Sequence, residues 1–331
     1  MLASRKRLGL CIALMVIILF ALIPTASANS IHPTLTADKQ FSDNLPNSDY
    51  YILQSDVVIQ NSGSELATKV RLEVPLMADL DSPYQDIVNE EFSHQPIEIK
   101  RLDNGNRVGV FSLDDIEPGT STILTQKYKV RVDGTNWLEN GTAEEIVDPG
   151  QYLVSTTKIE CADPQIQAVA SLINPNGAMD DLSVANKAFE FTRSRLTYNL
   201  NSPSANQGAL AGLQTGSGCC EEYASLFVAL CRASGVPARV VNGYASDRDE
   251  LAEDENPINM KGRRHQWAEF YLDGKGWIPV DPTLSNESNQ VFGGLPTGCY
   301  VAENYGDHKV TGKYRGGKLA IQFQDKVARG Y

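Results

Sequence analysis

The chain has 331 residues, 42% of them hydrophobic and 21% charged, an ordinary globular usage that excludes a mainly disordered or fibrous protein and leaves room for about two domains. With 29 Lys plus Arg against 41 Asp plus Glu, the formal charge of -12 lacks the basic excess that phosphate backbones require, so nucleic acid is excluded as a partner. Six Cys and four His (His32, His94, His265 and His308) include no CxxC and no His pair at ligand spacing, so neither a metal site nor a cofactor is expected.

In chain order, Arg5, Lys6 and Arg7 precede an apolar run over 8–23, then Pro24 and Ala26-Ser27-Ala28, the charged, apolar and small-residue parts of a secretory signal peptide over 1–28. About 16 apolar residues rise only ~24 Å as a helix, short of the ~30 Å of a bilayer core, so a membrane anchor is expected only if the segment stays uncleaved. Either way the body is expected outside the cytoplasm, secreted or extracytoplasmic. Cys11 leaves with the signal, and the odd number of Cys that remains implies a free thiol or an intermolecular bridge in an oxidising compartment.

Residues 29–48 are polar and read as a flexible lead-in. Then 50–59 is rich in β-formers, 61–64 supplies turn residues, and 67–74 alternates Val70, Leu72, Val74 with Lys69, Arg71, Glu73. The same grammar continues through 97–102, 108–113 and 121–132, separated by Asp103-Asn104-Gly105-Asn106 and Glu117-Pro118-Gly119-Thr120. Short strands at turn-bounded intervals predict an all-β, immunoglobulin-like sandwich over 49–135, with no cluster of catalytic groups in it.

After 150 the pattern changes. Helices are predicted over 164–173, 182–198 and 220–233, the last with Tyr223, Leu226, Phe227, Leu230 and Cys231 on one face and Gly235 and Pro237 as its stop. Strands follow over 238–244, 266–272 and 277–280, joined by an acidic polar loop (246–264) and a tight Asp273-Gly274-Lys275-Gly276 turn. The layout is α+β, and 284–331 reads as a Gly-rich extension of this second domain, 150–331. Asp247, Asp249, Glu250, Glu253, Asp254 and Glu255 crowd the loop without EF-hand spacing, which favours a solvated acidic loop over a Ca²⁺ site.

Chemistry concentrates where the third helix begins. A thiol there meets unpaired N–H groups and the positive end of the helix dipole, both of which favour thiolate. Cys219 and Cys220 both lie at that point, but Glu221 and Glu222 oppose ionisation, so an imidazole partner is needed. His265 opens a predicted strand on the face shared by Trp267, Glu269 and Tyr271. Asp281 follows the next strand and shares that face only if the hairpin loop between them has an odd number of residues or a bulge.

The run Gly218-Cys219-Cys220-Glu221-Glu222-Tyr223-Ala224, continuing through Leu230-Cys231-Arg232-Ala233 to Gly235-Val236-Pro237-Ala238-Arg239 and Gly243-Tyr244, resembles the core of the transglutaminase-like superfamily. So do His265-Gln266-Trp267-Ala268-Glu269, Gly276-Trp277 and Asp281-Pro282-Thr283, in that order, across roughly 190–285. The resemblance implies a papain-like fold of extracytoplasmic bacterial type and selects Cys220 as nucleophile, because only that choice aligns Glu222, Tyr223 and Ala224 with the family pattern. It further implies that His265 takes and returns the thiol proton and that Asp281 orients the imidazole. The oxyanion would meet the Cys220 N–H and a second donor, for which Tyr198, Gln207 and Gln214 are candidates.

Cys219, Trp267 and Trp277 are candidates for the cleft, with the tryptophans favoured as packing, and Arg239 reads as a buried ion-pair member. Cys231 lies about three turns from Cys220, too far to bridge, while Cys219 could pair with Cys161 or Cys299. The implied activity is cleavage of peptide or amide bonds in a protein or peptide substrate, cell-wall peptide among them. Crosslinking by transfer to an amine is the alternative, and a non-catalytic interaction module on the same fold is the contrasting class.

Overall fold

The computed structural model describes residues 48–78, 85–134, 137–140, 148–245, 257–285, 291–295, 300–306 and 309–330, all within one compact unit. The expected signal and nearly all of the lead-in, residues 246–256 of the acidic loop and Cys299 lie outside them.

Six strands come first: β1 (Ser48–Asn61), β2 (Thr68–Leu76), β3 (Gln85–Phe92), β4 (Glu98–Arg101), β5 (Arg107–Leu113) and β6 (Ser121–Asp133). Alternation decides their faces. Val70, Leu72 and Val74 of β2 point inward with Phe111 and Leu113 of β5, and they meet Val57 and Ile59 of β1 and Leu124 of β6 across an apolar layer.

The second part begins with the short α1 (Trp137–Asn140) and a 3-10 turn (Pro149–Tyr152), then α2 (Pro164–Ile173) and α3 (Asp181–Arg195). Asp163 caps α2 by accepting from the Gln165 N–H, and Asp180 caps α3 by accepting from the Ser183 N–H. The expected helix over 182–198 stops at Arg195. Thr197 and Tyr198 instead form β7 (Thr197–Tyr198), parallel to β8 (Ser217–Gly218) beyond α4 (Ala209–Thr215), because Thr197 and Asn199 donate their N–H groups to Gly216 and Gly218.

Helix α5 (Cys220–Ala233) is central, with every residue from Glu221 to Arg232 buried. It packs against α2, α3 and α4 on some sides and the sheet on another, where Phe227 meets Phe270 edge-on. Gly235, at φ 90°, takes the left-handed conformation that ends it. The sheet comprises β9 (Ala238–Ala245), β11 (Arg264–Leu272), β12 (Gly276–Val280) and β13 (Tyr300–Tyr305) in the order β12-β11-β9-β13, while the two-residue β10 (Ile258–Asn259) joins the other part of the molecule.

The last strands, β14 (Thr311–Arg315) and β15 (Leu319–Gly330), differ from the expected C-terminal extension of the second domain. They return to the sandwich and complete its sheets, β10-β15-β1-β6-β3 and β14-β2-β5-β4. The physical reason is the edge of β1: β15 pairs with it from Tyr50 opposite Gly330 to Asn61 opposite Leu319, and without β15 the longest strand would present an open row of N–H and C=O groups.

The two parts meet along the outer edge of β13. There the Gln85 carboxamide donates to the Ala302 carbonyl (2.8 Å) and accepts from its N–H (2.9 Å), and the Asn106 carboxamide does the same for Tyr305 (2.6 and 2.8 Å). Each side chain replaces one residue of a neighbouring strand. Tyr244 and Val301 of the sheet also share an apolar cluster with Leu53, Tyr128 and Val130 of the sandwich.

Candidate functional site

Cys219 is the residue before the first turn of α5, in extended conformation, and Cys220 opens the helix. Gly218 allows the approach: a Cβ there would lie 2.5 Å from Glu222 Cβ. Glu222 folds back over the helix start, accepting from the Cys219 N–H (2.9 Å), the Cys219 thiol (3.2 Å) and the Gln207 N–H (3.0 Å).

The two buried carboxyls do not both carry charge. Burial pushes the Glu221 carboxyl up to about 8, helped by the neighbouring Glu222, whereas Glu222 ends below its ordinary range because its hydrogen-bond donors outweigh burial. One charge, not two, therefore opposes ionisation of the thiols near neutral pH.

The thiols hydrogen-bond each other, so they titrate as a pair. The bond from the Cys220 thiol brings the Cys219 thiol down to about 7, against burial and Glu222, while the same bond and then burial hold the Cys220 thiol well above the ordinary thiol range. The Cys220 thiol also receives the backbone N–H of Gln266, which places it against the His265–Gln266 peptide of β11.

His265 and Asp281 are brought together as the face argument required. Leu272 pairs with Gly276 around a three-residue loop, an odd number, so Asp281 falls on the His265 face. His265 Nε2 lies 2.6 Å from Asp281 Oδ2, and both side chains are buried. Asp281 also accepts from the Tyr300 hydroxyl (2.7 Å) and from the N–H groups of Thr283 (2.8 Å) and Leu284 (3.2 Å). Burial raises this carboxyl, but His265 and these donors outweigh it, leaving the group below its ordinary value and ionised. With Nε2 engaged, Nδ1 is the imidazole nitrogen left for chemistry.

Tyr300 was not legible as a site residue, since it sits in the stretch read as a Gly-rich extension and carries no motif. Its ring also contacts Trp267 (5.2 Å between centroids) and His265 (6.0 Å), so it holds both partners of the dyad.

Of the oxyanion candidates, Tyr198 lies at the site: burial, then the two thiols and Asp281, push its hydroxyl up to about 12. Gln207 and Gln214 do not join it. The Gln207 side chain is exposed and donates to the Pro203 carbonyl, and Gln214 sits on the exposed end of α4, where its carbonyl accepts from Arg195. The Cys220 N–H, first in the helix, has no intrahelical acceptor.

The three cleft candidates are buried: Cys219 on Glu222, Trp267 within the core, and Trp277 beneath the Arg239 guanidinium, 3.9 Å from its ring. Arg239 is the expected ion-pair member, 2.6 Å from the fully buried Glu269. Cys161 is a free, buried thiol beside Ser155 rather than a disulfide partner of Cys219, and Cys231 is free and buried. Among the described residues no group of three or more His, Cys, Asp and Glu could hold a metal ion, and no helix is long and apolar enough to cross a membrane.

Residues 170–282 match the sequence model of the transglutaminase-like superfamily. A protein-glutamine gamma-glutamyltransferase of Pseudomonas aeruginosa is 28% identical over 135 residues, 40% of this chain and 20% of that protein, so the chain spans about a fifth of this relative's length. An uncharacterized protein of Mycobacterium leprae is 24% identical over 173 residues, 52% of this chain and 59% of that protein. In architecture the chain is similar to a crystal structure of a candidate cysteine protease from Cytophaga hutchinsonii, with a TM-score of 0.53, 16% identity, and coverage of 86% of this chain and 98% of that one.

Proposed function

The chain carries a transglutaminase-like domain over residues 170–282, and from this premise we propose that it is a thiol enzyme that cleaves peptide or amide bonds through an acyl-enzyme on Cys220. The observation that carries the reading is the buried His265–Asp281 pair, 2.6 Å apart, at the β11 end where the Gln266 N–H meets the Cys220 thiol.

Position supports Cys220 over Cys219 as nucleophile: Cys220 opens the helix and takes the Gln266 N–H, whereas the Cys219 thiol is turned to Glu222. The bond between the thiols by itself favours the Cys219 thiolate, so an ionised Cys220 requires His265 to take its proton. The Cys220 thiolate attacks the carbonyl carbon, and His265 Nδ1 carries the proton to the leaving amine. Asp281, anchored by Tyr300 and two N–H groups, fixes the ring and offsets the imidazolium charge. The Cys220 N–H and the Tyr198 hydroxyl are the donors for the tetrahedral oxyanion.

Water as second nucleophile completes hydrolysis. Transfer to an amine is the second reading, favoured by the name of the Pseudomonas relative. The basic, apolar and small-residue order of residues 5–28 supports action outside the cytoplasm.

The test is turnover of a peptide library with and without an added primary amine, read by mass spectrometry. Cys220→Ala is expected to lower turnover at least ~10³-fold with the fold kept, and Cys219→Ala to retain it within about a few-fold. Loss of activity in Cys219→Ala with retention in Cys220→Ala would transfer the nucleophile to Cys219.

A further inference from the structure

Between α5, β9, β11 and the turn at 156–159 is a cavity of about 370 Å³ that none of the three proposed catalytic residues lines. Its wall includes Glu221 and Gln266, the residues that directly follow Cys220 and His265, and it extends along α5 to Arg232. Asn104, in the turn between β4 and β5, closes it from the sandwich side.

Two of its cations have carboxyl partners: Arg239 has Glu269, and Lys158 lies 3.6 Å from Glu221. Among the described residues no carboxylate pairs with Arg232: its guanidinium donates to the carbonyls of Ala238 (2.8 Å) and Val154 (2.7 Å), and the residue is only 8% exposed. A buried cation held by two neutral acceptors is suited to an incoming anion.

One acceptor in the wall lacks a donor: Gln266 gives its Nε2 to the Asn242 carboxamide (2.6 Å), while its Oε1 is buried with no hydrogen-bond partner among the described residues. A carboxylate alone would leave that acceptor unsatisfied, as would phosphate, whereas a peptide segment supplies a carboxylate and an amide N–H together.

We propose that this cavity is a binding site for a carboxylate-bearing peptide segment, with the carboxylate against Arg232 and an amide N–H against Gln266 Oε1. As a substrate subsite it rests on the reading of Cys220 as a peptide-cleaving nucleophile; as a binding site it stands without turnover. The carboxylate is either the end of the peptide chain or an acidic side chain, and both present the same group to Arg232.

Isothermal titration of the full chain carrying Cys220→Ala, which separates binding from turnover, tests it. The probes are N-acetyl-Ala-Ala, its carboxamide, N-acetyl-Glu amide and inorganic phosphate. One or both carboxylate peptides are expected to bind at least ~10-fold more tightly than the carboxamide, and the tighter of the two identifies the source of the carboxylate. Arg232→Gln should erase this preference. Because Arg232 also ties α5 to its surroundings, Thr157→Trp, on the exposed turn that lines the cavity, is the second variant and should block binding with the fold intact by circular dichroism.

Equal binding of acid and amide, binding of phosphate alone, no binding at all, or unchanged binding in Thr157→Trp would each overturn the proposal. Binding as expected in a wild-type chain that cleaves no peptide would count against the enzyme reading and leave the cavity assignment standing. Cleavage of peptides with no carboxylate preference would do the reverse.

Discussion

The start of α5 places two thiols and two carboxyls on four consecutive residues, Cys219 to Glu222, and the molecule separates their roles by hydrogen bonding. Glu222 keeps its charge and holds Cys219, and Glu221 keeps a proton. The sequence suggested that both carboxylates would oppose the nucleophile; it could not show that burial removes one of them, because burial depends on α4 and Lys158 closing over the helix. Since the folded-state value of Glu221 is raised to about 8 from 4.5, the folded chain binds the extra proton between these values, and stability falls as pH rises through that window. The slope from this group approaches ~1.4 kcal/mol per pH unit at its steepest. Glu221→Gln should flatten it and unfold at higher urea than wild type above pH 8. Parallel pH profiles of the two proteins would contradict the protonated Glu221.

At the scale of elements, local pattern served well where partners are near in sequence. Helices over 164–173 and 220–233 stand where predicted, and of the two conditions under which 265 and 281 share a face, an odd loop or a bulge, the hairpin meets the first. It failed where the partner is distant. β7 took the last residues of the predicted α3 because β8, about 20 residues on, supplies acceptors; β3 went unread because Gln85–Phe92 is mostly exposed and does not alternate in hydrophobicity. The outer edge of β13 is closed by two carboxamides that no periodicity marks. Removing either exchanges two buried hydrogen bonds for unpaired backbone groups, so Gln85→Ala and Asn106→Ala are each expected to cost about 2–4 kcal/mol in urea unfolding. Losses below ~0.5 kcal/mol would show that water or relaxation closes that edge instead.

For the molecule as a whole, the chain closes on itself: β15, some 270 residues from β1, completes the sandwich and, through β10, meets the strand that leads into β11. Position and composition assign the C-terminal stretch to the second domain, whereas strand pairing follows the edge that needs covering. The same stretch supplies Tyr300, which explains why the dyad was legible from the motifs and its support was not. Deleting residues 309–331 should therefore damage the sandwich at the opposite end of the sequence. The edge of β1 would be exposed from Tyr50 to Asn61, and the truncated chain is expected to aggregate on size exclusion. A monomeric truncated protein with wild-type stability would show that β15 is dispensable.

The central claim is that His265 sustains a reactive thiolate on Cys220. Its most direct test is the rate of iodoacetamide alkylation at each Cys at pH 6, located by fragment masses, in wild type, Cys219→Ala and His265→Ala. The account predicts fast labelling at Cys220 in wild type and in Cys219→Ala, lost in His265→Ala. Slow labelling at Cys220 in all three proteins, or fast labelling confined to Cys219, would contradict it.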